Sequence, residues 1–376
     1  MPRSTRRITR HRLRPLVDPG SGHDVRRLPA NDDDGGVTTT DSRRTRSAHH
    51  HQLWGLSAAF GIGMLVAVQS RLNGELGNRL GDGIPAALVS FGSGLVLLLI
   101  AYALVPRVRG GLNRIWHIIR TPTDEVAVPG RHRPLRWWQG LGGLGGAFLV
   151  ATQSITVAVI GVAVFTVAVV AGQAISSLVV DRLGFGPAGP QPYTPLRVIG
   201  ACVAVVAVVL AVSDQLSHPS GLALAILPAL AGIATAVQQA INGRVANTAS
   251  PDAYGAVTAA LINFVVGTVA LALVFLIDLA TRGTPRGLPT EPWLYLGGAC
   301  GVAFITLAAV VVRVVGVFVL GLGTIAGQLI ASLAIDLIAP AADQPVTVAV
   351  VSGTVLALIA VVIASIPNLR RSRFKP

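Results

Sequence analysis

At 376 residues the chain is long enough for two or three soluble domains, but 52% hydrophobic and 12% charged residues exclude that class, since soluble domains carry roughly 25% charge. A net charge of +13 would suit a nucleic-acid binder, yet the basic residues stand beside apolar runs and not on a globular face, so nucleic acid is excluded and the lipid bilayer is the expected partner. Cys202 and Cys300 fall inside apolar runs with no paired spacing, so neither a disulfide framework nor a zinc site is expected, and no cofactor is called for.

Residues 1–52 are rich in Arg, Asp, Ser and Thr and almost free of apolar periodicity, which predicts a disordered basic cytoplasmic tail. His49, His50 and His51 read as part of that solvated stretch rather than as a metal site. Ser42-Arg43-Arg44 faintly resembles a twin-arginine export signal. The apolar run behind it is too long for such a signal, no small-residue cleavage site closes it, and nine further runs follow.

The runs lie at 53–73, 86–105, 138–158, 161–181, 196–213, 221–242, 256–279, 293–312, 315–336 and 346–366. Each approaches the roughly twenty residues that cross about 30 Å of hydrocarbon at 1.5 Å per residue. From Trp138 to Val180, and from Trp293 to Ile335, almost no charge interrupts more than forty residues. A single helix of that length would be about twice the bilayer thickness. Each stretch is therefore expected to hold two helices and a tight turn, near Gly161 and Gly316. Trp137, Trp138 and Trp293 stand at helix starts, as interfacial aromatic anchors do. A second basic tail, 368–376, closes the chain.

Arginine sets the expected orientation. With ten spans and the N-terminus inside, 26 basic residues fall on the cytoplasmic side and 4 (Arg71, Arg79, Arg282, Arg286) on the other. Without the long tail the ratio is still 15 to 4. The positive-inside rule then places both termini in the cytoplasm.

The two halves, 53–214 and 221–367, match each other. Ala67-Val68-Gln69-Ser70-Arg71-Leu72-Asn73-Gly74 aligns with Ala236-Val237-Gln238-Gln239-Ala240-Ile241-Asn242-Gly243, and Ala86-Ala87-Leu88-Val89-Ser90-Phe91 with Ala259-Ala260-Leu261-Ile262-Asn263-Phe264. Gly142, Gly143 and Gly146 meet Gly297, Gly298 and Gly301, and the segment from Gly172-Gln173 to Asp181 meets that from Gly327-Gln328 to Asp336. Five helices is an odd number, so the second copy enters the membrane from the opposite face. Inverted repeats let one set of packing contacts serve outward-open and inward-open states.

These segments resemble the drug/metabolite transporter superfamily, and within it the YdcZ-like family of inner-membrane exporters. The likeness rests on Gln-x-x-x-Asn at the end of the first helix of each half, Phe-x-x-Gly in the next (Phe91 to Gly94, Phe264 to Gly267), and Gly-Gln…Asp in the fourth. It covers nearly everything after residue 53 as a fused double copy. It implies an all-α carrier of ten transmembrane helices in the bacterial inner membrane, with a central substrate path, and leaves the substrate open. One departure stands out: small multidrug exporters of the superfamily use a Glu in their first helix, and no acidic residue lies between Leu53 and Asn73.

Polar side chains inside hydrocarbon are costly unless partnered. Gln69 and Asn73 share a helix face, as do Gln238 and Asn242; uncharged amides suit a path for polar or mixed substrates. Gln173, Ser177 and Asp181 form a second stripe, repeated by Gln328, Ser332 and Asp336. The expectation is that Gln69, Asn73 and Asp336 line the outer mouth and Gln238, Asn242 and Asp181 the inner one. A partly desolvated Asp181 or Asp336 would offer proton coupling, against the plainer reading of a carboxylate ending its helix in the headgroup region. Arg313 reads as a marker of the cytoplasmic turn. The glycine pairs read as close helix contacts. No nucleotide loop, metal motif or nucleophile–base set appears, so the expected activity is that of a secondary transporter exporting a small metabolite or drug-like compound and not of an enzyme. A lipid-carrier flippase or a non-transporting scaffold is the alternative.

Overall fold

The computed structural model describes residues 37–120, 135–185, 190, 192–213, 219–340 and 346–372, and among these every regular element is helical. The chain divides into Met1–Ser47 and Ala48–Pro376; of the first, only the helical residues 37–47 are described, and the remainder of the description concerns the second. The α-helices are α1 (Val37–Leu80), α2 (Gly83–Leu104), α3 (Pro106–Arg120), α4 (Gly143–Leu183), α5 (Pro195–Ala211), α6 (Pro219–Ala249), α7 (Ala253–Arg282), α8 (Gly297–Ile338) and α9 (Val348–Ser372). Short 3₁₀ turns at Trp137–Gly142 and Pro292–Leu296 lead into α4 and α8.

Among the described residues five segments are long and apolar enough to cross a membrane: Trp54–Leu80, Gly83–Leu104, Trp137–Leu183, Ala253–Arg282 and Leu320–Ile338. Pro195–Ala211, Pro292–Ala308 and Val348–Ala364 are apolar and shorter. Their outward faces carry Val96, Leu99, Ile100, Leu273, Leu276 and Ile277, all exposed. That surface is unfavourable in water and suited to lipid.

Two helices differ from the expectation. The basic tail is helical from Val37 onward, and the part up to Gly36 lies outside the described residues. No Gly or Pro stands between Val37 and Gln52, so a helix nucleated in the apolar run extends upstream at little cost. The 106–136 loop contains α3, whose apolar side buries Val108, Gly111 and Ile115 while its arginines point outward.

Gly161 breaks α4 with φ 83 and ψ 163, a backbone conformation that glycine alone adopts readily. The chain doubles back there. Gly146 packs on Gln238 and Gly172 on Ala229; twenty-six residues of straight helix would hold them about 39 Å apart, whereas nine residues of α6 span about 13 Å. The same arithmetic applies to α8, where Gly301 packs on Gln69 and Gly327 on Phe60. The two ends of α8 are therefore not collinear. The turn expected near Gly316 falls among 312–319, whose side chains lie outside the described set.

Two pairs of equivalent helices, α2 with α7 and α5 with α9, pack antiparallel. Along the α2–α7 contact, Asp82 meets Arg282, Phe91 meets Phe264, and Arg107 lies over Tyr254. Along α5–α9, Gly200 meets Ala360 and Ala207 meets Gly353. Phe91 and Phe264 are each other's repeat equivalents and stack at 4.8 Å, each ring seated where the other half's Gly267 or Gly94 leaves room. Both helices open on an aspartate cap, Asp82 to Ile84 N and Asp252 to Tyr254 N. Such caps are worth about 1 kcal/mol each.

Further contacts between the halves come in matched pairs. Phe60 and Gly63 of α1 pack on Gly327 and Thr324 of α8, while Ala229 and Gly232 of α6 pack on Gly172 and Val169 of α4. The first helix of each half thus lies against the third and fourth helices of the other.

Candidate functional site

The exchanged first helices create two polar clusters where they meet the partner half. In the first, Asn73 of α1 is fully buried. Its Nδ2 donates to Gln153 Oε1 at 2.7 Å, and Gln153 Nε2 donates to Ser70 Oγ at 2.9 Å. Gly297 packs against the Asn73 Oδ1 and Ser90 Oγ edge of this group, and Gly301 against Gln69. The Asn73 Oδ1 has no hydrogen-bond partner among the described residues. In the second cluster, Gly142 lies against Asn242 and Asn263, and Gly146 against Gln238. Only glycine lets the backbone come this close to the amides.

Both clusters are built from uncharged donors and acceptors. Hydrogen bonds of this kind contribute about 0.5–1.5 kcal/mol each, and a buried amide atom left unpaired costs about 1–3 kcal/mol. Asn73 Oδ1 and Asn263 Nδ2, one in each cluster, both lack a hydrogen-bond partner among the described residues and are groups that a polar ligand could satisfy.

The second stripe is placed differently. Asp336 is buried, and its two oxygens accept from Val162 N at 3.0 Å and Ala163 N at 2.7 Å. It caps the helix that restarts after Gly161, where orphan N–H groups and the helix dipole favour a carboxylate. Asp181 is half-buried and pairs with Arg197. Ser177 and Ser332 donate to carbonyls one turn back, Ala174 O and Leu329 O, both at 2.9 Å. Gln173 is half-buried and Gln328 buried, each beside the glycine of a facing first helix, Gly232 and Gly63. The structure therefore brings Gln69 with Asn73, and Gln238 with Asn242, into the two clusters, and sets the other six residues along the helix contacts behind them.

Gln153 is the functional candidate that repeat reading missed. Matching the halves selects residues present in both, and the equivalent of Gln153 is Ala308. Its signal was a glutamine standing in the middle of an apolar run.

Among the described residues no group of His, Cys, Asp or Glu could hold a metal ion. The family model described as "Putative inner membrane exporter, YdcZ" matches the chain twice, over residues 54–210 and 223–363. No curated protein matches. One solved structure, described as "Crystal structure of protein", aligns over 86% of this chain and 98% of its own, with 18% identity and a TM-score of 0.47.

Proposed function

We propose, on the premise that this chain belongs to the YdcZ family of inner membrane exporters, that it is a secondary transporter moving a small metabolite or drug-like compound outward by alternating access. It is a multi-pass protein of the inner membrane. In this reading residues 53–214 and 221–367 are inverted five-helix repeats, ten spans in all, with the 1–52 and 368–376 tails cytoplasmic. The observation that carries it is the paired exchange of first helices, which supports two interconvertible packings related by the pseudo-two-fold.

The Asn73 and Asn242 clusters are the two gates of the proposed path, with Gln69 and Gln238 one turn further in. Uncharged amides at both gates suit a polar, neutral or zwitterionic substrate. Within the first half Gln153 pins Asn73 and Ser70 in the closed outer cluster, and Ala308 offers no such tie at the inner one. The resting form is accordingly inward-facing and loads substrate from the cytoplasm. Proton coupling is assigned to Asp336: a proton there would remove the charge that holds the helix restart at Val162, loosening the hairpin beside the outer gate. Asp181, already paired with Arg197, positions its own helix end.

The experiment is uptake into everted membrane vesicles of compounds that accumulate in a deletion strain and fall on overexpression. Saturable uptake that Gln69→Ala and Gln238→Ala both reduce is the expected result. Absence of any such compound, with both variants indistinguishable from the parent, would remove the carrier reading.

A further inference from the structure

A cavity of about 650 Å³ opens between the end of α1, the start of α2, the first part of α4 and the end of α7. None of the amides of the two clusters lines it. Ile155, Val159, Val274 and Ile277 form its apolar wall, and these side chains are also exposed on the outer surface of the helices. Asp82, Asp278, Arg282 and Arg286 form its polar rim. The exposed Trp293 stands at the same end of the molecule, since its neighbour Leu294 packs with Leu76 and Leu80, and such a tryptophan marks the headgroup level.

The charges on the rim are incompletely paired. The Asp82 and Asp278 side chains are 14% and 12% exposed. They share one cation, Arg282, at 3.9 and 3.4 Å, longer than the about 2.7–2.9 Å of a direct charge-assisted bond. Two adjacent carboxylates with one distant guanidinium leave room for a second cation. Arg286 stands exposed with its side chain against Gly81 and makes no ion pair among the described residues.

The fold's own symmetry says what kind of body belongs there. The repeat equivalents of the α1 end and α2 start are the α6 end and α7 start, and these are covered by α3: Gly111 packs on Thr258, Arg114 donates to Ala249 O, and Ile115 joins Val245 and Ala259. An amphipathic cationic helix fills the site at one end of the molecule. The other end has no inserted helix between α7 and the turn before α8, and its cavity stays open toward the apolar surface.

We propose that this cavity binds one phospholipid with a primary-ammonium headgroup. The ammonium donates to Asp82 and Asp278, the phosphate accepts from Arg286 and Arg282, and an acyl chain lies along Ile155, Val159 and Ile277. A primary ammonium can donate three hydrogen bonds to the acidic pair, a quaternary one none, and an anionic headgroup would meet the two carboxylates unshielded.

The test uses the full chain purified in detergent and titrated with phosphatidylethanolamine, phosphatidylcholine or phosphatidylglycerol of matched chains, with lipid retention read by native mass spectrometry and melting temperature. Phosphatidylethanolamine should be retained about tenfold better than either of the others, as expected for charge-assisted bonds. Asp278→Asn should abolish that preference, and Arg286→Gln should weaken retention of both phosphate-bearing competitors and phosphatidylethanolamine. If Asp278→Asn fails to fold, the arginine variant alone decides. Equal retention of all three lipids by the parent, a parental preference in Asp278→Asn, or unchanged retention in Arg286→Gln overturns the site. Displacement of the lipid by free phosphoethanolamine overturns the lipid as occupant in favour of a soluble zwitterion. None of these outcomes depends on transport.

Discussion

Asn73 Nδ2 donates to Gln153 Oε1 at 2.7 Å, whereas their repeat equivalents, Asn242 and Ala308, can form no such pair. Two halves that otherwise repeat their first-helix packing thus differ in this hydrogen-bonded tie, and a carrier with symmetric gates needs such a difference to favour one resting state. Gln153→Ala should release the outer gate, and Ala308→Gln should tie the inner one. With Cys202 and Cys300 replaced by Ala and a reporter at Gln69→Cys, either change should raise labelling by an impermeant maleimide applied to intact cells. A loss of about 1–2 kcal/mol at the gate corresponds to a rise of about fivefold or more. Unchanged labelling in both variants would separate the tie from gating.

Gly143 and Gly298 are equivalents, and each packs directly on the backbone of the facing second helix, at Asn263 O and Ser90 O. Backbone cannot swing aside as a side chain can. Gly143→Ala and Gly298→Ala should therefore each lower stability by about 1–3 kcal/mol, seen as a lower melting temperature in detergent. Gly92→Ala is the contrast, because nothing lies within 4 Å of a methyl there; it should be neutral or stabilising by up to about 1 kcal/mol.

Asp336→Ala removes both acceptors from the helix restart after Gly161, and a lost cap costs about 0.5–2 kcal/mol. Asp336→Asn keeps one acceptor and should recover most of that loss. If Asp336 also couples flux to protons, uptake into everted vesicles will fall when the pH gradient is collapsed, and in Asp336→Asn it will no longer respond. Asp181→Asn should leave the gradient response intact while lowering stability through Arg197. A gradient response surviving in Asp336→Asn would exclude that residue from coupling.

Orientation is testable at two open positions. At Gly287 and Gly110 nothing lies within 4 Å of the place a side chain would take, so cysteines are tolerated at both. In the cysteine-free background, Gly287→Cys should react with an impermeant reagent in intact cells. Gly110→Cys, on α3, should react only after permeabilisation. Like behaviour at the two sites would be incompatible with inverted halves of five spans.

Much of this architecture was legible in the sequence because membrane helices announce themselves by length and apolarity, and because duplication printed the key positions twice. The break at Gly161 followed from a run too long for one helix. Asp336 was visible as a repeated acid at a helix end, but its partners, Val162 N and Ala163 N, lie more than 170 residues away and carry no side-chain signal. Gln153 was hidden because repeat matching discards what one half alone possesses. The amphipathic α3 was lost among the arginines of the 106–136 segment, where charge dominated and the buried Val108, Gly111 and Ile115 were too few to form an evident stripe.

The exchange of first helices also orders the birth of the molecule. Phe60 and Gly63 leave the ribosome early, yet the surface they rest on, around Thr324 and Gly327, is made some 260 residues later. Until then the opening helix waits in the bilayer with its glycine face uncovered. A nascent chain stopped before that point would hold a loose helix rather than a finished half, and is a natural substrate for membrane quality control.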